Sequence, residues 1–597
     1  MVYCIKDRRP SHSLALKHLC FSPPPHPPSS ITPPHFSFPL RPNLHPHNNH
    51  LSFNHGWRSR LYWRSRYRIL RAQESHRRNS HGVCSILHFA AFAAFGGILY
   101  GYDTGIINGV QAMDDWLRTF GHPTDDRVTF PGGFGISTGQ RSLVVSILSA
   151  GTFTGALIGA PTADLLGRKW GLVFTCLIFS IGVAMQTAST SMPLFIVGRV
   201  VAGIGVGQVS VLVPMYQSEC SPKWIRGAIV SGYQWAITIG LLLAAVINNA
   251  TENRADHSAW RIPISIQFIW AFVLASGMAI LPESPRWLIK KGRDADAARA
   301  LSRLTGAPPE DQSVVDDLND IRTTLEEERL LGNSTYLDCF KVGEPNKICF
   351  RVCSCMALQA WQQLTGINFI FYFGTTFFQN AGISNAFLIT VATNIVNVFM
   401  TLPGMWGVER FGRRTLLIGG AIGMCVCEFI VAIAGVTVPQ SNTAGQKVLV
   451  AFVCIYIAFF ASTWGPIAWV VTGEIFPLNV RAKGMSFAAA SNWLWNFGIS
   501  YATPYLVDAD HANLQAKVFF IWGSTCFCCI IFAFFFIPET KGLSLEQIDL
   551  LYMHSSPLTS NRMRRKLLAE NIHTADHNKL DALDEKEVVE HHTDEKV

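Results

Sequence analysis

Apolar runs of about 20 residues recur from residue 83 onward, and no other property of the chain limits its fold so tightly. At about 1.5 Å of rise per residue, such a run crosses a ~30 Å hydrocarbon layer as a helix. In that layer every backbone N–H and C=O must find its partner within the protein, so only helices and closed barrels span it. Twelve runs can be marked: 84–109, 141–162, 170–189, 193–217, 226–248 and 263–281, then 348–376, 385–407, 415–436, 447–471, 483–507 and 517–537. A stretch rich in Lys, Arg, Asp and Glu, 284–346, divides them six and six. The expected architecture is an all-α membrane protein of 12 transmembrane helices in two pseudo-symmetric halves, 83–283 and 347–548. A helical cytoplasmic linker (284–346) joins the halves, and tails (1–82 and 549–597) flank them.

Composition enters as exclusion. Charged residues are 15% of the chain and hydrophobic ones 49%, with 40 Phe, whereas roughly 25% charge is usual in a soluble domain. A soluble multidomain enzyme, a fibre and a secreted disulfide scaffold are therefore poor fits. Most of the 15 cysteines sit inside apolar runs, among them Cys176, Cys425, Cys427 and Cys454. The Cys526-x-x-Cys529 pair is embedded in IWGSTCFCCIIFAFFF, where thiols pack as small hydrophobes. The net charge of +8 is no nucleic-acid footprint. Much of it lies in the first 82 residues, a Pro/His- then Arg-rich tail whose only acids are Asp7 and Glu74. That tail has no periodicity and reads as disordered, or as an organellar transit segment.

The loops set the orientation. Arg168 and Lys169, Lys223 and Arg226, Arg410, Arg413 and Arg414, and Arg481 and Lys483 all fall on one side. The loop after the first run instead carries Asp114, Asp115, Asp125 and Asp126. By the positive-inside rule both termini and the linker are cytoplasmic.

An internal repeat supports the two halves. Asp164-Leu-Leu-Gly-Arg-Lys169 returns as Glu409-Arg-Phe-Gly-Arg-Arg414. Glu219-Cys-Ser-Pro222 with Arg226 returns as Glu474-Ile-Phe-Pro477 with Arg481, and Pro282-Glu-Ser-Pro-Arg286 returns as Pro538-Glu-Thr-Lys-Gly542. Parallel repeats of this kind are used by transporters to alternate access around a midplane site. The charged residues Asp164, Arg168, Lys169, Glu219, Arg226, Glu283, Arg286, Glu409, Arg413, Arg414, Glu474, Arg481 and Glu539 recur as acids and bases together. They form either gating networks that latch the two halves in the outward-open state or topology signals set by positive charge alone.

Within the apolar runs, polar side chains stand out. Gln and Asn both donate and accept, as sugar hydroxyls do, without burying a charge, and an indole face covers the C–H surface of a sugar ring. Gln234, Gln362, Gln363, Asn368, Asn397, Asn492 and Asn496 supply the amides and Trp469 the indole. For any one amide, bonding between helices is the alternative. Asp103 and Arg199 lie at membrane depth, where a lone charge costs about 2.5–3.5 kcal/mol even on lenient scales, so they are expected to pair.

GGILYGYDTG (96–105), DLLGRK (164–169), GRVVAGIGVG (198–207), PESPRW (282–287), QQLTGIN (362–368), GPIAW (465–469) and PETKG (538–542) occur in that order. Together they resemble the sugar porter family of the major facilitator superfamily, over roughly 90–550. The resemblance implies a fungal-type plasma-membrane hexose (glucose) transporter, a proton symporter working by alternating access and a monomer in its bilayer. No cofactor, metal or nucleic acid is implied, and it is not an enzyme. A facilitative hexose uniporter and a transporter-like glucose sensor are the alternatives. The resemblance also implies that Gln234, Gln362, Gln363, Asn368, Asn397, Trp469 and Asn492 contact sugar, with Asn496 and Trp493 beside them. Asp103 and Arg199 would carry proton coupling, a static ion pair being the alternative. Where a glucose-uniporter relative has a glutamate, this chain has Ala461. Glu428, in the ninth run, receives no role.

Overall fold

The computed structural model describes residue 92 and residues 94–569, except 125–131, 222–225, 331–334, 344–345, 381–384, 440–441, 478–479, 509 and 544. The expected disordered tail over 1–82 and the end of the last tail lie outside the described residues. The first half comprises a helix over 94–110 and then Thr138–Leu166, Arg168–Thr187, Met192–Cys220, Arg226–Thr251 and Ser258–Ile280. Between the first two sit a short helix, Asp114–Phe120, and a small antiparallel pairing of His122–Pro123 with Phe134–Gly135. Ser137 opens the second span through a capping box with Gln140.

Three linker helices follow, Pro285–Lys290, Asp294–Thr305 and Gln312–Leu330. Leu288, Ala297, Leu301, Val314 and Leu318 give them a core of their own. The second half holds Ile348–Leu364 and Ile367–Asn380, Ala386–Phe411, Arg413–Thr437, Thr443–Ser462 and Trp464–Glu474, Arg481–Val507, and Val518–Phe536. Leu545–His554 and a helix over 560–569 close the described chain. The second span lies against the eleventh and the fifth against the eighth, so the halves meet along those two pairs.

Among the described residues, nine helices are long and apolar enough to cross a membrane. The other three spans fall short for separate reasons. The first has only its 94–110 part continuously described. The eleventh buries Ser486, Ser491, Asn492, Asn496, Ser500 and Thr503 and is too polar to register.

The seventh, expected as one run over 348–376, is two helices broken at Thr365 and Gly366. Gly366 takes φ +83°, and a Cβ there would drive into the Trp522 ring. Neighbours satisfy the freed carbonyls, as membrane burial requires: the Thr525 hydroxyl donates to Leu364 O (2.6 Å) and the Tyr456 hydroxyl to Thr365 O (2.7 Å). The tenth span, expected over 447–471, also breaks, at Thr463.

Candidate functional site

One face carries the repeated charges, and there the two halves fold the same local structure twice. Gly167 and Gly412 both adopt positive φ (+87° and +94°), which turns the chain sharply between consecutive spans. Each turn aims two helix-start amides at a carboxylate. Glu283 accepts from Arg168 N (2.9 Å) and Lys169 N (3.1 Å), and Glu539 accepts from Arg413 N (2.9 Å) and Arg414 N (3.1 Å). These bonds satisfy helix N-terminal donors and place negative charge at the positive end of the dipole. Burial pushes the Glu283 carboxyl up, against the pull of the Ser284, Lys169 and Arg168 amides.

The arginine that follows each turn is also used in the same way. Arg168 pairs with Glu219 at 2.7 Å and, more loosely, with Asp164 at 3.8 Å. Arg413 pairs with Glu474 at 2.8 Å and Glu409 at 3.0 Å. Arg286 stands close enough to Glu219 to favour its charge, and Arg481 donates to Gly473 O (2.6 Å). The Arg226 side chain lies outside the described residues.

Every bond just given runs within one half. The second cation of each pair turns away from carboxylate altogether. The Lys169 ammonium lies over the Trp170 ring, while Arg414 stacks on Phe534 and donates to Phe534 O (2.7 Å). On this face a linker segment spans the halves. The Tyr336 hydroxyl donates to Leu157 O of the second span (3.0 Å), and its ring packs edge-on against Phe487 of the eleventh (5.3 Å). Asp338 braces that segment, its carboxyl held down at about 2 by Lys341 and by the Thr335 amide and hydroxyl.

On the opposite face, Asp508 of the second half meets Arg141 (3.2 Å) and the Thr138 hydroxyl (3.0 Å) of the first. Gln111 donates to Tyr372 O (2.8 Å), and Thr375 N donates to Asn108 (3.2 Å). The segment after the seventh-span break is thereby held against the first span.

Between these faces lies the amide cluster. The Asn492 amide nitrogen donates to both Gln359 (2.8 Å) and Gln362 (2.9 Å). Gln362 in turn donates to Trp464 O (3.0 Å) and Gly465 O (3.1 Å), the first carbonyls after the tenth-span break. Gln363 accepts from Asn496 (2.9 Å) and from Asn368. Ser149, across the divide between halves, donates to Asn496 (2.6 Å). Trp493 similarly crosses to the Ser210 hydroxyl (3.2 Å). The structure thus joins Gln362, Gln363, Asn368, Asn492 and Asn496 directly.

The remaining expected residues adjoin this cluster or stand apart from it. The Gln234 amide nitrogen comes up against Gly465, and Trp469 stands edge-on to Tyr233 (5.9 Å). Asn397 is buried on the eighth span with neither amide atom bonded.

Asp103 and Arg199 do pair, at 3.5 Å, and both are fully buried. Neither has a hydrogen bond, so charge alone holds the pair. Tyr372 lies within electrostatic reach of both, and its hydroxyl donates to Asn496 (3.1 Å). One side chain therefore bonds to the amide cluster and stands within electrostatic reach of the ion pair. Tyr372, Gln359 and Ser149 were missed from the sequence. The first two have a readable signal: Gln359 precedes Gln362 and Gln363 by one helical turn, and Tyr372 follows Asn368 by one.

Comparison with known proteins decides the family. The pattern of the "Sugar (and other) transporter" family matches residues 89–552. The chain belongs to that family. It is therefore a major facilitator transporter, and not an enzyme.

Over 475 residues it is 51% identical to a major facilitator-type transporter, ecdD, of Aspergillus rugulosus, covering 78% of this chain and 86% of that one. It is 46% identical over 468 residues to a probable glucose transporter, rco-3, of Neurospora crassa (77% and 78% covered). It is 43% identical over 491 residues to the high glucose sensor RGT2 of Saccharomyces cerevisiae, spanning 81% of this chain but 63% of the sensor. Among solved structures, the proton:xylose symporter XylE of E. coli, bound to a bromodeoxyglucose, is similar at TM-score 0.67 and 28% identity. It covers 79% of this chain and 100% of its own.

Proposed function

We propose that the protein is a plasma-membrane hexose carrier, taking glucose or a close relative together with a proton by alternating access. One observation carries the reading: Tyr372, bonded to Asn496 of the amide cluster, lies within electrostatic reach of the buried Asp103–Arg199 pair. Gln234, Gln362, Gln363, Asn368, Asn397, Asn492 and Asn496 offer donors and acceptors to the sugar hydroxyls, and Trp469 covers its ring. Asp103 takes the proton. Once neutral it no longer holds Arg199, and Tyr372 passes that change to Asn496. Sugar and proton then bias the same conformational equilibrium, which is what coupling requires.

The halves rock about the sugar. Arg141–Asp508 closes one face, and Tyr336 with Phe487 joins the halves on the other. The charged turns at Gly167 and Gly412 keep each half rigid while it moves. The basic face and both termini are cytoplasmic, and the carrier works as a monomer. The relatives named for glucose transport and the symporter of similar structure support this reading.

The test is Asp103→Asn, a permanently neutral side chain. It should abolish accumulation of sugar against a gradient while exchange of internal for external sugar persists. Accumulation that survives would move the proton to another group, and a wild-type protein that never accumulates would make the carrier a uniporter.

A further inference from the structure

Glu428 is the only acid in the ninth span, Arg413–Thr437, and it is fully buried. Its neighbours come from three spans: Cys425 and Cys427 on its own helix, Cys526 and Cys529 on the twelfth, and Tyr456 on the tenth. All are thiols or a phenol, and none is a cation. The two best placed to donate to it point elsewhere. The Tyr456 hydroxyl donates to Thr365 O at 2.7 Å, and the Cys526 thiol reaches the same carbonyl at 3.8 Å. Neither carboxylate oxygen has a hydrogen bond. An ionised carboxylate that faces no cation, with its nearby Tyr456 and Cys526 donors turned to Thr365 O, is among the most expensive groups to bury, so in this arrangement the group is a neutral acid.

The position gives that proton a consequence. Thr365 O is the carbonyl freed by the break in the seventh span, and Tyr456 is what satisfies it. Gln362 and Gln363 lie just before the break and Asn368 just after it. We propose that Glu428 is a second proton-binding site, in the second half, and that its ionisation draws the Tyr456 hydroxyl off Thr365 O and loosens the seventh-span break. One proton leaves, the carboxylate gains a donor, and Thr365 O loses one. The two arrangements exchange a single hydrogen bond, so a proton in the half opposite Asp103 biases the helix that carries the amide cluster. The effect on sugar rests on the proposed function; the protonation itself does not.

Infrared spectra of the purified full-length protein, wild type against Glu428→Gln, read the protonation directly. A protonated-carboxyl band that fades as pH is raised in the wild type and is missing from E428Q is the expected result. In Tyr456→Phe, which removes the donor to the carboxylate, the band should persist to higher pH. A band that never appears, or that never titrates while the protein stays folded, overturns the proposal.

Glucose uptake supplies the second readout. Between about pH 5 and pH 8 the wild-type KM should rise about tenfold, equivalent to one pKa unit of coupling, and E428Q should lose the share of that rise that Asp103 does not supply. An E428Q profile matching the wild type would also overturn it. Glucose uptake absent from the wild type, with the band behaving as expected, would instead count against the proposed function alone.

Discussion

Gln363 shows how much one side chain does in this site. It accepts from Asn496 and Asn368 at once, so the amide cluster is organised around its carbonyl. Gln363→Ala leaves two buried donors unpaired as well as removing a sugar contact. The lost sugar contact is worth about 1–3 kcal/mol, so the KM for hexose should rise by roughly fivefold to over a hundredfold at equal surface expression. An unchanged KM would remove Gln363 from the site. Tyr372→Phe is the finer probe, because it keeps the ring and deletes only the hydroxyl that reaches Asn496. The expected outcome is a lower accumulation ratio with a KM changed by less than about threefold, a split that separates coupling from binding.

At the scale of elements, the breaks and turns carry the mechanism. Gly366→Ala puts a Cβ into the Trp522 ring at positive φ, and Gly412→Ala puts one into the Glu539 carboxylate. Either should lower thermal stability in detergent by about 1–3 kcal/mol, whereas Gly419→Ala, with nothing within 4 Å, should not. Equal melting of all three variants would mean that neither turn is constrained.

These elements also mark where the sequence stops being legible. The spans, the charged turns and most of the amide set follow from hydropathy, the repeat and residue chemistry. The breaks at Thr365 and Thr463 do not, because an interrupted span and a continuous one have the same apolar composition. What permits the interruption is Tyr456, Thr525 and Gln362 arriving from other parts of the chain. Nor does the pairing pattern follow: Arg413 with Glu474 was readable as charge complementarity, but that Arg413 takes a partner within its own half is a matter of packing. Tyr336 escaped notice because a linker tyrosine has no chemistry of its own until Leu157 O and Phe487 flank it.

For the whole molecule, the question is which contacts set the balance between the two openings. Arg141–Asp508 is largely buried, but Asp508→Asn keeps an oxygen for Arg141 and loses only the charge, so it should shift that balance by only about 0.2–1 kcal/mol. That is a roughly 1.5- to 5-fold faster reaction of a thiol at Asn108→Cys with an impermeant reagent applied from the Asp508 face. No acceleration would mean that the Gln111 bond holds this face closed without help from Asp508. The central claim is that sugar and proton act on one equilibrium, and its most direct test is uptake of labelled glucose by cells lacking hexose carriers of their own, with and without a protonophore. The account predicts accumulation above the external concentration that collapses with the proton gradient. Uptake that merely equilibrates and ignores the protonophore would contradict it.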